Sequence, residues 1–164
     1  LKRVALDPPS GGYRGSASLE TSDEATRRSY RLKMPRIASF KPIEPESARI
    51  LILGSMPGVM SLAGRRYYAH PRNSFWKIMS AILEIPETAN YAERVCALQS
   101  ASIALWDVLH SCVREGSLDS DIDAGSVKAN DIPAFVRRHA SIEVVCFNGA
   151  AAEKWYKQQV LPKL

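Results

Sequence analysis

Two kinds of hydrophobic pattern alternate along the chain beyond residue 49. Short, mainly apolar runs that are rich in β-branched residues predict strands buried on both faces, as in a parallel sheet. These runs cover residues 50–53, 101–106 and 142–147. The first run is stopped by Gly54 and the third by Asn148 and Gly149, which are typical turn residues. The chain therefore contains three predicted strands, and each leads into a loop.

Helical periodicity fills the segments between these strands. The residues Phe75, Ile78, Met79, Ile82 and Leu83 follow the i, i+3, i+4, i+7, i+8 spacing of an amphipathic helix that ends before Pro86. Three further helices are predicted over residues 91–99, 132–139 and 150–159. Alternating strands and helices imply right-handed crossovers, so we expect an α/β fold, a three-layer α/β/α sandwich around a short central parallel sheet.

The first 33 residues differ in character from the rest of the chain. They lack a sustained apolar period and contain Pro-Pro-Ser-Gly-Gly at residues 8–12, which fits neither a helix nor a central strand. We expect residues 1–33 to be a disordered N-terminal arm and residues 34–164 to be the folded domain.

No segment resembles a membrane span or a secretion signal. The longest apolar runs fall well short of the roughly 18 residues that a bilayer crossing needs, and residues 1–7 lack an apolar core. We therefore expect a soluble, cytoplasmic protein without a membrane partner. The cysteines at positions 96, 112 and 146 form no Cys-x-x-Cys pair, so we expect buried, reduced thiols rather than disulfides or a zinc site.

The net charge of +5 is unevenly distributed. Residues 34–77 carry seven basic and two acidic side chains, a net charge of +5, whereas residues 78–164 carry eight basic and eleven acidic ones, a net charge of −3. A basic excess confined to one segment suits a polyanionic partner, although an ordinary solvated surface explains it equally well.

Ligands of such folds bind beyond the carboxyl ends of the parallel strands, so the loop after the first strand is the first candidate site. It reads Gly-Ser-Met-Pro-Gly at residues 54–58. The loop lacks the third glycine of a dinucleotide fingerprint, the Gly-Lys-Ser/Thr of a nucleoside-triphosphate loop and the spacing of a nucleophile elbow. On spacing alone, the segment could equally be an ordinary turn after a strand, with no role in ligand binding.

The same loop continues into residues 65–76, where arginines alternate with aromatic residues. Cations can hold phosphates while flat rings stack on bases, which favours nucleic-acid binding through Arg65, Arg66 and Arg72. The alternative places Phe75 in the core, Asn73 at the N-cap of the helix and the arginines in water. Capping and catalysis by Asn73 could coexist, because a helix start presents amide donors to a site.

Taken together, these segments resemble the uracil-DNA glycosylase superfamily, specifically its hypoxanthine-DNA glycosylase branch. The likeness rests on the loop at residues 54–58, on Tyr-Tyr-Ala at 67–69, on Asn-Ser-Phe-Trp at 73–76, and on residues 104–109, 114–119 and 146–149. It implies a small α/β/α domain, without metal or cofactor, that removes deaminated bases from DNA in base excision repair. We expect a monomer.

The resemblance also implies roles for individual residues. Asn73 takes the catalytic position, where its amide would orient the attacking water, and Asp107 aligns with the base-reading asparagine of the superfamily. Phe75 would stack on the flipped base, with Tyr67 or Tyr68 as a wall. The complete expected substrate surface comprises Gly54, Ser55, Met56, Pro57, Tyr67, Tyr68, Phe75, Asp107 and Asn148.

Two features depart from the family pattern. Met56 stands where many members carry an Asp or Asn that holds the water, and a thioether cannot do that. The late Ser/Pro/Asn-rich motif, which follows a fourth strand, is expected after Pro162, so we expect a C-terminally truncated domain whose last strand is missing. A non-catalytic α/β module that binds nucleotides or nucleic acid is the rival function, and uracil or xanthine is the rival substrate.

Overall fold

The predicted strands and helices form an α/β domain in the computed structural model, which describes residues 34–164 and Ser29. In chain order the elements are β1 (Ile37–Ala38), β2 (Ile50–Gly54), α1 (Val59–Gly64), α2 (Phe75–Ile82), α3 (Tyr91–Ser100), β3 (Ile103–Asp107), β4 (Leu109–Cys112), β5 (Lys128–Ala129), α4 (Ile132–Arg138), β6 (Val144–Phe147) and α5 (Ala150–Gln159). Single 3₁₀ turns cover Asp119–Asp121, Ala124–Ser126 and Leu161–Lys163. Apart from Ser29, the predicted N-terminal arm, residues 1–33, lies outside the described residues.

The central sheet is parallel, as predicted, with β2 between β3 and β6. Its register pairs Gly54 with Asp107 and Leu53 with Phe147. The backbone N–H of Asn148 donates to the carbonyl of Leu53 at 2.8 Å, which continues this alignment past the end of β6. The carboxyl ends of all three strands therefore lie side by side.

Successive side chains of β2 point to opposite faces of the sheet, so both faces are apolar, and helices cover both. On one face Leu51 and Leu53 are fully buried in a core shared with Phe135 of α4 and Trp155 of α5. On the other face Leu105 of β3 belongs to a core shared with Phe75 of α2 and Leu98 of α3. These two cores confirm the predicted three-layer arrangement.

A second, antiparallel sheet with the order β1-β4-β5 was not predicted. Two of its strands have only two residues each, too few to create a recognisable alternation. Helix α1 was also missed, because its six residues follow a Gly-Ser-Met-Pro-Gly segment that reads as a loop.

Two expectations about burial are wrong. Of the three free cysteines only Cys112 is buried, whereas Cys96 and Cys146 are exposed. Both exposed thiols lie at positions of α3 and β6 that face away from the two cores. Helix α2 forms as predicted, but Trp76 is buried beside Phe75 and Met79, while Ile78 and Ile82 are exposed.

Helices α3 and α4 end within one residue of the predicted positions, and α5 has the predicted bounds. The observed strands β3 and β6 each begin two residues later than predicted, at Ile103 and Val144. In the described part of the chain, no helix combines the length and the apolar character that a membrane crossing requires.

Candidate active site

The loops beyond the carboxyl ends of β2, β3 and β6 enclose a cavity of about 280 Å³. Eight of the nine residues predicted to form the substrate surface line it, and so does the predicted catalytic residue Asn73; Phe75 does not. The complete lining comprises Gly54, Ser55, Met56, Pro57, Gly58, Met60, Ser61, Tyr67, Tyr68, His70, Asn73, Asp107, Ser117, Asp119 and Asn148. The tertiary structure thus brings together residues from four segments of the chain, namely residues 54–73, residue 107, residues 117–119 and residue 148.

The first loop is held to β3 by the backbone. The N–H groups of Val108 and Leu109 donate to the carbonyls of Gly54 and Ser55 at 2.8 and 3.1 Å. At Gly54 a side chain would not fit, because a Cβ there would stand 2.5 Å from Oδ1 of Asp107. Glycine is therefore required at this position for the carboxyl group of Asp107 to reach the cavity.

Asp107 is an almost completely buried acid, with 3% of its surface exposed. Its Oδ2 has no hydrogen-bond partner among the described residues. Burial raises the pKa of Asp107 from 3.8 to about 7, and the nearby carboxylate of Asp119 adds to the rise while the Arg114 guanidinium opposes it. Near neutral pH this side chain can therefore carry a proton, and then it both donates and accepts hydrogen bonds.

Asn73 lines the cavity but is not the N-cap of α2, the position that the alternative interpretation of the sequence gave it. The N-cap of α2 is Ser74, whose side chain makes no capping hydrogen bond with the described part of the chain. Asn73 nevertheless supports the helix start, because its Oδ1 accepts from the N–H of Phe75 at 2.9 Å. The side chain is exposed, so its amide group is accessible from the cavity.

Phe75 and Tyr68 form a stacked pair beside the cavity. Their ring centroids are 4.1 Å apart and their planes differ by 28°. Phe75 is buried, with 6% exposed, so Tyr68 rather than Phe75 lines the cavity. The Tyr68 hydroxyl is buried without a partner of good geometry among the described residues. Burial and then Asp107 raise the pKa of Tyr68, and the Asn148 side chain opposes the rise.

Tyr67 is fixed at the base of the cavity by three hydrogen bonds. Its hydroxyl donates to the carbonyl of Lys41 at 3.1 Å, and its N–H donates to the hydroxyl of Tyr91 at 3.0 Å. The indole N–H of Trp76 donates to its carbonyl at 2.9 Å. Tyr67 therefore serves as a rigid wall, whereas the hydroxyl of its neighbour Tyr68 makes no hydrogen bond of good geometry with the described residues.

The loop at residues 114–119 supplies site residues to which the sequence assigned no role. The guanidinium of Arg114 is fully buried and donates to the carbonyls of Pro57 and Gly116 at 2.6 and 3.0 Å. Asp119 accepts from the hydroxyl of Ser55 at 2.7 Å. A buried arginine that links two loops has no signature in the sequence, since its burial depends on the fold.

The three predicted DNA-backbone residues, Arg65, Arg66 and Arg72, are exposed on the segment that carries the cavity-lining tyrosines. None of them makes an ion pair with another residue of the described part of the chain. Arg66 also lines a second cavity of about 290 Å³, together with Tyr91 and Arg94. Within residues 34–164, no group of three His, Cys, Asp or Glu side chains is arranged to hold a metal ion.

All three buried side-chain polar atoms that lack a partner in the described region belong to this site: the Tyr68 hydroxyl, Oδ2 of Asp107 and one guanidinium nitrogen of Arg114. Unsatisfied buried polar groups are costly, so their clustering marks a place where a ligand can supply the missing hydrogen bonds. With an exposed amide, a protonatable acid and stacked aromatic rings, the arrangement can bind a flat heterocycle with a polar edge.

Comparisons with known proteins agree with this geometry. The family model described as "Uracil DNA glycosylase superfamily" matches residues 40–164. A hypoxanthine DNA glycosylase of Methanosarcina barkeri is 37% identical over 111 residues, which cover 67% of this chain and 69% of that protein. A hypoxanthine DNA glycosylase of Methanosarcina acetivorans is 34% identical over 132 residues, covering 75% and 82% of the two chains.

A solved structure is also similar. The solution NMR structure of a candidate uracil DNA glycosylase from Methanosarcina acetivorans superposes with a TM-score of 0.65 at 30% sequence identity. The match covers 76% of each chain. Family model, relatives and fold thus agree, and the chain belongs to the uracil DNA glycosylase superfamily.

Proposed function

We propose that this protein is a DNA glycosylase that hydrolyses the bond between a deaminated base, hypoxanthine foremost, and its deoxyribose. The reacting carbon is shielded within a duplex, so the nucleotide must first leave the base stack. Deaminated bases pair poorly, which lowers the cost of this flipping. The damaged nucleotide then enters the cavity at the carboxyl ends of β2 and β3.

Asp107 reads the polar edge of the flipped base. Hypoxanthine presents an N–H beside a carbonyl, and a protonated carboxyl group matches that pair by accepting from the N–H and donating to the carbonyl. The same donated hydrogen bond stabilises the negative charge that develops on the base as it departs. The raised pKa of Asp107, about 7, keeps the required proton available near neutral pH.

Asn73 holds the attacking water. The water oxygen forms a bond to the anomeric carbon, the bond from that carbon to the base nitrogen breaks, and its electron pair leaves with the base. The base takes up a proton, and the water loses one to solvent, because an amide is no general base. The products are the free base and an abasic sugar.

Arg65, Arg66 and Arg72 hold the DNA backbone beside the cavity. Their exposure and the net charge of +5 over residues 34–77 support this assignment. Phosphate contacts of this kind position a duplex without reading its sequence.

The observation that carries the proposal is the convergence of Asn73 and Asp107 on one cavity, in which the buried Tyr68 hydroxyl and Oδ2 of Asp107 lack hydrogen-bond partners among the described residues. Incubating the protein with inosine-containing duplexes, followed by alkaline cleavage of abasic sites, tests it. Strand scission at inosine supports the glycosylase. Binding of the duplex without scission contradicts it and favours the rival non-catalytic module.

Uracil is the second candidate substrate, since it also presents an N–H beside a carbonyl, the pair that a protonated Asp107 would match. Competition between inosine and uracil duplexes in one reaction ranks the two. Preferential cleavage at uracil would overturn the assignment of hypoxanthine while leaving the reaction class intact.

A further inference from the structure

Phe75 is the flat surface on which a flipped base is expected to stack, yet another ring already covers it. Tyr68 lies over Phe75 at a centroid distance of 4.1 Å, in near-parallel orientation. Aromatic rings attract each other in this arrangement. Because Phe75 is also buried on its other sides, a base has no free face of that ring to bind while Tyr68 stays in place.

The polar end of Tyr68 reaches the group that is expected to read the base. A Cβ on Gly54 would lie 2.9 Å from the Tyr68 hydroxyl oxygen and 2.5 Å from Oδ1 of Asp107, so both oxygens converge beside Gly54. A ring stacked on Phe75 with its polar edge near Asp107 has the layout expected of a bound base. Tyr68 therefore occupies the position of the ligand.

This arrangement is costly in two respects. The Tyr68 hydroxyl and Oδ2 of Asp107 are both buried, and neither has a hydrogen-bond partner among the described residues. Tyr68 also has a backbone φ of +53°, in the left-handed region that residues other than glycine rarely adopt. Stacking on Phe75 therefore has to outweigh the unsatisfied buried polar atoms and the strained backbone of Tyr68. A base that hydrogen-bonded to Asp107 would remove the first of these two costs.

We propose that Tyr68 is a surrogate for the base: it covers Phe75 in the DNA-free protein, leaves when a nucleotide flips in, and returns after the base is cut off. This inference rests on the proposed function, because it takes Phe75 and Asp107 as the base-binding groups. A returning Tyr68 competes with the free base for the cavity. This competition makes the protein retain the free base weakly. The apparent affinity for the base is low when only a small fraction of the molecules have Tyr68 displaced from Phe75.

Titration of the protein with free hypoxanthine, without DNA, tests the proposal by NMR. In the free protein the Tyr68 and Phe75 rings give mutual NOEs, which disappear as the base binds. Tyr68→Ala removes the competing ring and binds hypoxanthine about tenfold more tightly than the parent protein.

A second variant keeps the aromatic ring. Tyr68→Phe removes the buried hydroxyl, which makes no hydrogen bond of good geometry with the described residues. Its loss stabilises the state in which the ring covers Phe75, so this variant binds hypoxanthine about tenfold more weakly. Tyr156→Ala, an aromatic truncation beside Phe147 and away from the cavity, leaves the affinity unchanged.

The opposite results overturn the proposal. If Tyr68→Ala binds hypoxanthine no more tightly than the parent, Tyr68 is a fixed wall of the cavity. The proposal is also wrong if the NOEs between Tyr68 and Phe75 persist when hypoxanthine is bound. It is equally wrong if neither the parent nor any variant binds hypoxanthine. If Tyr68→Ala does not fold, the proposal is decided by the affinity of Tyr68→Phe for hypoxanthine and by the NOEs between Tyr68 and Phe75 in the parent protein. Excision of inosine by the parent protein is scored separately, so failure of the glycosylase assignment is distinguished from failure of this one.

Discussion

Gly54 and Asp107 are register partners on β2 and β3, and Oδ1 of Asp107 lies only 2.5 Å from the place where a Cβ of residue 54 would stand. The two residues are 53 positions apart in the sequence, and only the parallel pairing of their strands brings them together. The carboxyl group that we propose reads the base thus occupies space that a glycine leaves empty.

Replacing that glycine should damage the site more than the fold. In Gly54→Ala the new methyl group pushes Asp107 and the Tyr68 hydroxyl away, and we expect a loss of about 1–3 kcal/mol in the free energy of unfolding. Single-turnover excision of inosine should fall at least tenfold. Gly125→Ala is the matched control, because its Cβ would meet only one atom, at 3.6 Å. Unchanged excision by Gly54→Ala would refute the placement of Asp107 at the reacting base.

The stability of the protein should decrease as the pH rises from about 4 to about 7. In this range folded Asp107 keeps its proton, because its pKa is about 7, whereas the unfolded chain releases it near pH 4. The folded state therefore binds more protons, and the free energy of unfolding falls by up to about 4 kcal/mol at about 1.36 kcal/mol per pKa unit. Urea denaturation between pH 4.5 and 8 measures this.

Asp107→Asn should remove that pH dependence, since an amide does not titrate there. Exposed Asp121, whose carboxylate interacts only with its neighbour Ser120 in the described region, provides the control variant Asp121→Asn, which should retain the dependence. If the free energy of unfolding depends on pH in the same way in the parent protein and in Asp107→Asn, this carboxyl group does not cause the pH dependence.

Catalysis should follow the same protonation. Above about pH 7 ionised Asp107 can no longer donate to the carbonyl of the base, so single-turnover excision of inosine should decline with increasing pH. Asp107→Asn keeps both a donor and an acceptor and should excise inosine at a rate that does not decline in this range. A parent rate that stays constant from pH 6 to 9 would exclude the protonated acid as the reading group.

Asn73→Ala should slow excision without preventing folding. Loss of the proposed water-positioning hydrogen bond, at about 1–3 kcal/mol, corresponds to a roughly five- to 150-fold lower single-turnover rate. The variant also loses the hydrogen bond to the N–H of Phe75, so Asn90→Ala is the appropriate control. That change removes a comparable helix-capping hydrogen bond, to Glu93, outside the cavity. Equal rates for Asn73→Ala and Asn90→Ala would contradict the catalytic assignment.

The exposed arginines should control how DNA affinity depends on salt. Each of Arg65→Gln, Arg66→Gln and Arg72→Gln is expected to lower the magnitude of the slope of log K against log salt by about 1 if the residue contacts a phosphate. Fluorescence anisotropy of a labelled duplex at 50 to 300 mM salt measures the slope. Arg137→Gln, on α4 and remote in sequence from this segment, is the control. A slope that none of the three substitutions changes would remove these arginines from the DNA interface.

Periodicity and local composition were enough to predict the central sheet. Uninterrupted apolar runs identify β2, β3 and β6 because strands of a parallel sheet are buried on both faces. The same reasoning missed β1 and β5, whose pairing with β4 depends on partners far away in the chain. Cys96 and Cys146 were expected to be buried for a similar reason, since residue type alone does not tell which face of an element meets the core.

The layered α/β architecture could be predicted from the sequence alone, and so could the loops that line the cavity and the amide, acid and aromatic side chains that they carry. The positions of these groups relative to one another became visible in the folded chain: Asp107 crowds Gly54, Tyr68 stacks on Phe75, and the buried Arg114 joins two loops. This division arises because local propensity acts over a few residues, whereas desolvation, unsatisfied hydrogen bonds and ring stacking depend on neighbours that the fold brings from distant parts of the chain.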